Sequence, residues 1–230
     1  MLSYLAVNKF QDAVSPYLDT VKDFFYLFLA LGIAAVFWTC AERYAKKGLR
    51  FVDPLLFLVM VIWGTSGFFF LSPILQFLPS FFDSILDIFY QAIPDWDIPL
   101  YIWSNSWFSR GGWEFLKHRS WLFSSVIIPT VILVISILPN ILRQPLLAKK
   151  YHWHLNTLRN IAFGLFVGVS AHLCGDIFLS FIPRGDIGFK IYGWNQFVSL
   201  IWFVFHIFLG IFIPFLLIWL MGATYKKRSK

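Results

Sequence analysis

The sequence predicts an all-α integral membrane protein with about five transmembrane helices plus one interfacial amphipathic helix. Three observations predict it. Of the 230 residues, 59% are hydrophobic and only 13% are charged, against about 25% charged in ordinary soluble domains. The mean hydropathy is +0.70. The apolar residues are also gathered into runs of roughly the 20 residues that cross a bilayer core, separated by short basic or polar segments. No internal repeat or low-complexity tract divides the chain, so residues 1–230 read as a single polytopic domain.

The stretch from Met1 to Lys22 is mixed and carries Asp12 and Asp19. It lacks the basic start, apolar core and cleavage site of a signal peptide, so the first span is expected to direct insertion. The five runs are Phe24 to Cys40, Pro54 to Leu71, Trp121 to Leu138, Ile161 to Ile182 and Phe197 to Met221. Between the second and third lies Ile74 to Ile93, broken by Pro79 and carrying Asp83 and Asp87 one helical turn apart. Phe77, Phe81, Ile85 and Phe89 recur there at helical spacing, which reads as a helix lying in the membrane interface.

Basic residues set the expected orientation. They cluster at Arg43, Lys46, Lys47 and Arg50, at Arg143, Lys149, Lys150 and Arg159, and at Lys226, Lys227, Arg228 and Lys230. With five spans, all three clusters fall on one side, which the positive-inside rule makes cytoplasmic. The expected arrangement is a multi-pass cell-membrane protein with its N-terminus outside and its C-terminus in the cytoplasm. The same placement explains the net charge of +7 as bilayer contact and insertion bias, with no nucleic acid as a partner. Cys40 and Cys174 sit in separate apolar segments and form neither a disulfide framework nor a CxxC site.

Three polar clusters interrupt the apolar background: Pro94-Asp95-Trp96-Asp97, His118-Arg119-Ser120 and His172-Leu173-Cys174-Gly175-Asp176. Ionisable residues at membrane depth are costly and are by default functional. Asp95 and Asp97 come just before the third run, with His118, and Asp176 lies near the end of the antiparallel fourth. Chain order alone therefore brings the three clusters to one face.

His172 and Asp176, four apart, share one helical stripe with Gly164 and Gly168. The small residues admit a neighbouring helix closely. Two readings of the pair stay open: joint ligands of one divalent metal, or a buried His–Asp hydrogen bond between packed helices. Asp95 and Asp97 can offer oxygens to a cation from a turn, and equally can serve as turn and cap residues, with Trp96 in the interfacial aromatic belt. His118 is a competent ligand, and Arg119 can hold a phosphate or snorkel to the headgroups. His206 reads as a core histidine before it reads as a further ligand. His152 and His154 lie across the membrane from the others.

The order Pro-Asp-x-Asp, His-Arg opening a span, then His-Leu-x-x-Asp in the next span resembles the LexA-regulated, membrane-bound metal-dependent hydrolase family, also called YdjM-like. That family's second motif reads His-Arg-Gly-x-Thr-His-Ser. Here His118-Arg119-Ser120-Trp121-Leu122-Phe123-Ser124 keeps the last serine and has Phe123 in place of the second histidine. With Gly185 and Gly188 after the third motif, the resemblance covers about Ile93 to Gly193. It implies an all-helical membrane hydrolase, similar to zinc-dependent phospholipase C-like enzymes, in which the matching acids and histidines hold the metal.

The expected function is a metal-dependent phosphoesterase acting on a lipid or other membrane-associated substrate. Asp95, Asp97, His118, His172 and Asp176 are the expected ligands of a divalent metal, zinc ahead of manganese, that activates a water. Arg119 is expected to orient the phosphate and Asp97 to double as general base. The rival expectation is a non-catalytic membrane protein, either a degenerate family member in complex assembly or a small-solute or proton transporter. Phe123 is the residue that favours it.

Overall fold

The computed structural model describes residues 24–43, 53–68, 91–107, 119–142, 144–180 and 190–228. The elements are α1 (Phe24–Arg43), α2 (Pro54–Thr65), a 3-10 turn (Ile93–Asp95), α3 (Asp97–Trp107), α4 (Ile127–Ile141), α5 (Pro145–Lys150), α6 (His152–Ser180) and α7 (Gln196–Arg228). Among the described residues there is no strand. Among the described residues, three helices are long and apolar enough to cross a membrane: Phe24–Arg43, His152–Phe178 and Gln196–Leu217. They are compatible with a multi-pass membrane protein.

The second and third expected spans are shorter than the apolar runs that suggested them, and the reasons are local. In α2, of 12 residues, the Thr65 hydroxyl bonds back to the Val61 carbonyl at 2.6 Å. Ser66 N–H closes on the Ile62 carbonyl, and Gly67 takes a left-handed φ of 64° that ends the helix. Its other end is set by Pro54 at the first helical position and by the Asp53 side chain, which accepts from Leu56 N–H. In α4, of 15 residues, the start is delayed to Ile127. Ser125 donates to the Leu122 carbonyl and accepts from Ile127 N–H, so the segment from Trp121 to Val126 turns. At 1.5 Å per residue these helices are about 18 and 22 Å long. The proposed interfacial helix falls outside the described residues except at Gln91, Ala92 and Ile93, as do the Gly185–Gly188 loop and His118.

The fold is built around α6. Of its apolar stretch 78% is buried, against 28% for α1 and 22% for α7. The small-residue stripe does what its spacing predicts: Gly164 and Gly168 lie against α2. A Cβ on Gly164 would stand 2.6 Å from the Phe57 carbonyl oxygen, and one on Gly168 2.5 Å from that of Val61 and 2.9 Å from Gly64 Cα. Helix α2 is tied to α6 at both ends as well. Asp53 N–H donates to Asn160 at 2.9 Å, and the Thr65 hydroxyl reaches the Gly168 carbonyl at 3.2 Å. Asp53 pairs with Asn160 and Thr65 with Gly168, so α2 and α6 run parallel.

The other long helices run opposite to α6. Helix α1 buries Tyr26, Ala30, Ala34, Phe37 and Ala41 at a spacing of three and four, with Tyr26 beside His172 and Phe37 beside Phe163. Phe37 also packs on Phe57 and Phe215, joining α1, α2, α6 and α7 at the end away from the polar clusters. Gly210 of α7 meets Ser170, Phe166 and Val126, which brings α7 and the start of α4 onto one side of α6. Phe197, Ile201, Phe205, Phe208 and Phe212 form the outward face of α7.

Because the atoms facing Gly168 are backbone, Gly168→Ala must push α2 from α6. We expect a loss of about 1–3 kcal/mol, read as a lower thermal midpoint in detergent. Gly32→Ala, where nothing lies within 4 Å, is the matched control and should leave stability equal or higher. Equal behaviour of the two variants would remove the close contact from the account.

Candidate functional site

The polar site forms where α2 ends, α6 nears its end and the 3-10 turn crosses between them. Termination of α2 at Thr65 leaves a carbonyl without a helical partner. That oxygen lies 2.6 Å from His172 Nδ1. A carbonyl only accepts, so Nδ1 carries the proton and Nε2 is the nitrogen turned into the site. Nε2 faces two carboxylates, Asp95 Oδ2 and Asp176 Oδ2, each at 3.7 Å. The i, i+4 stripe thus places His172 and Asp176 together, and the turn supplies Asp95. Trp96 packs edge-on to Trp63 of α2 at 5.1 Å between ring centroids, which seats that turn against the end of α2.

Asp176 uses its two oxygens differently. Oδ1 accepts from the Tyr26 hydroxyl at 2.6 Å and has Arg119 Nη2 at 4.0 Å, while Oδ2 faces Nε2. The Tyr26 ring stacks on the imidazole, 4.9 Å between centroids and 13° between planes. The side chains of His172 and Asp176 are 5% and 8% exposed and that of Asp95 is 34% exposed, so the site opens on the Asp95 side.

Asp95 and Asp97 diverge from one turn. Asp97 opens α3 fully buried, and its Oδ2 accepts from Ser120 N–H at 2.8 Å. Arg119 has a left-handed φ of 61°, which costs a side-chain-bearing residue about 1–2 kcal/mol. Both of its flanks are held: Tyr192 N–H donates to the Arg119 carbonyl at 3.2 Å, and Asp97 fixes the next amide.

His206 stands apart. Val126 N–H approaches its Nδ1 at 3.4 Å, so Nδ1 accepts and Nε2 bears the proton; Nε2 is buried without a hydrogen-bond partner. Trp202 packs 4.2 Å from its ring and donates to the Ser124 carbonyl. This is a core role, beside the turn from Trp121 to Val126. His152 and His154 are exposed at the opposite end of α6.

Of the expected ligands, the structure brings Asp95, His172 and Asp176 together with Arg119, sets one oxygen of Asp97 on the Ser120 amide, and leaves His118 outside the described residues. Two contributors escaped the sequence reading. Tyr26 could have been found as the polar end of the buried α1 stripe; the Thr65 carbonyl, being main chain, leaves no side-chain signal.

The donor set, one imidazole nitrogen and carboxylate oxygens, suits a divalent cation. Ligands bonded at about 2.1 Å to one ion lie about 3.0–3.4 Å apart, so the 3.7 Å separations are a few tenths of an ångström open. Among the described residues no group of three or more His, Cys, Asp and Glu closes into a metal cage. No family model, curated protein or solved structure matches the chain.

Asp97→Ala strips the acceptor from the buried Ser120 amide and should cost about 1–3 kcal/mol, whereas Asp97→Asn keeps an acceptor and most of the stability. Thermal unfolding of the two variants side by side checks this.

Proposed function

We propose that this chain is a membrane-embedded, metal-dependent hydrolase, a phosphoesterase acting on a lipid or membrane-associated substrate. The observation that carries the reading is the orientation of His172 beside Asp95 and Asp176. With Nδ1–H bound to the Thr65 carbonyl, His172 turns Nε2 between two carboxylates, an arrangement that a cation makes favourable. A metal-binding histidine commonly has its other ring nitrogen bound to a carbonyl in this way.

Asp95, His172 and Asp176 would hold the ion, zinc or manganese, with His118 and Asp97 the further candidates. When bound, a divalent ion supplies Lewis acidity and lowers the pKa of a water toward about 7. Arg119 would orient and neutralise the phosphate, and Asp97 would serve as general base. Substrate would enter on the open Asp95 side. The outward rings of α7 suit lipid, α1 and α7 run opposite to α6 as successive crossings would, and the basic clusters favour an N-terminus outside. The resemblance to the YdjM-like hydrolases points the same way.

A second reading, a non-catalytic protein that assembles a complex or moves a small solute or proton, is favoured by the 3.7 Å spacing, wider than ligands on one ion require. Elemental analysis with a phosphoester and phospholipid screen separates the two. We expect bound zinc or manganese and turnover, and His172→Ala and Asp176→Ala should abolish both. Arg119→Ala should keep the metal and lose activity by about 100-fold or more, as for removal of a charge-stabilising group. Stoichiometric metal retained in the His172 and Asp176 variants would sink the assignment. Metal-free protein, or pH-driven uptake in vesicles, would replace it with the second reading.

A further inference from the structure

We propose that Tyr26 is the positioning residue of the Asp95/His172/Asp176 site, holding Asp176 so that Oδ2 is the oxygen presented beside His172 Nε2. The proposal rests on the metal-site reading and goes beyond it, because Tyr26 lies on α1, far from all three polar clusters in sequence.

Three independent contacts converge on this side chain, which is 1% exposed. Its hydroxyl donates to Asp176 Oδ1 at 2.6 Å, which opposes rotation of the carboxylate. Its ring lies 13° from the plane of the His172 imidazole at 4.9 Å, which fixes the ring that carries Nε2. Its third neighbour is Gly175. A Cβ there would overlap the Tyr26 ring itself, at Cδ1 and Cε1. The glycine between His172 and Asp176 therefore makes the space through which α1 reaches both. Arg119 lies 4.0 Å from the same Oδ1, so the Tyr26 hydrogen bond and the guanidinium charge are both on the oxygen turned away from His172 Nε2. Groups that orient ligands in this way are worth about 10–100-fold in metal affinity.

The test is calorimetric titration of the full-length chain in detergent with Zn²⁺ and with Mn²⁺. Tyr26→Phe keeps the ring and removes the hydroxyl, and should weaken binding by about 10–100-fold. Gly175→Ala should weaken it by displacing the ring, and the double variant should cost less than the product of the two single losses because both act through one contact. Phe28→Ala, on the exposed side of α1, should bind as wild type. The thermal midpoint of each ion-free variant reports folding separately; should Gly175→Ala not fold, Tyr26→Phe decides alone. Wild-type affinity in Tyr26→Phe overturns the positioning role and leaves the metal reading standing. Absence of binding in the wild type overturns both.

Discussion

The close approach of α2 to α6 at Gly64 and Gly168 is the contact on which the polar site depends. Neither glycine has a Cβ, so main chain meets main chain, and the register of the two helices is fixed along the whole of α2. That register places the last carbonyl of α2 against His172. In low-dielectric surroundings an orphan carbonyl needs a donor, and His172 Nδ1 provides it. The orientation of the imidazole is thereby set by where a neighbouring helix stops. A side chain at position 168 would move α2 outward, and the imidazole would lose its fixed orientation along with the packing.

The charges at this end of the bundle are divided between structural and exposed roles. Asp97 spends one oxygen on the Ser120 amide and so helps hold Arg119 in its left-handed conformation. Asp176 accepts from Tyr26 through Oδ1, with the Arg119 guanidinium 4.0 Å from the same oxygen, and turns Oδ2 to His172. Asp95, the most open of the three, faces the same nitrogen from the 3-10 turn. Buried carboxylates are costly unless hydrogen-bonded or paired, and here the bonds to Tyr26 and Ser120 limit that cost. What remains is a nitrogen and two carboxylate oxygens facing one small space that opens toward Asp95. Such an arrangement attracts a positive species.

Much of the helical architecture was legible in the sequence. Apolar runs located α1, α6 and α7, because burial and lipid contact both demand continuous hydrophobicity. Those runs overstated α2 and α4. Hydropathy does not register Thr65, Gly67 or Ser125, whose side-chain bonds and backbone freedom end or delay a helix inside an apolar stretch. The i, i+4 stripe from Gly164 to Asp176 was equally readable, since helical periodicity alone puts those residues on one face.

By itself, then, the sequence determined an all-helical chain, the length and apolar character of its long helices, and the shared face of the glycines, His172 and Asp176. All of these follow from local periodicity and composition. Only the tertiary structure decided that Asp95 and Asp97 part company, that Arg119 is held in a strained turn, and that Tyr26 and the Thr65 carbonyl complete the surroundings of His172. Those contacts join residues up to 150 positions apart, and they depend on how closely two helices approach and on where each one ends.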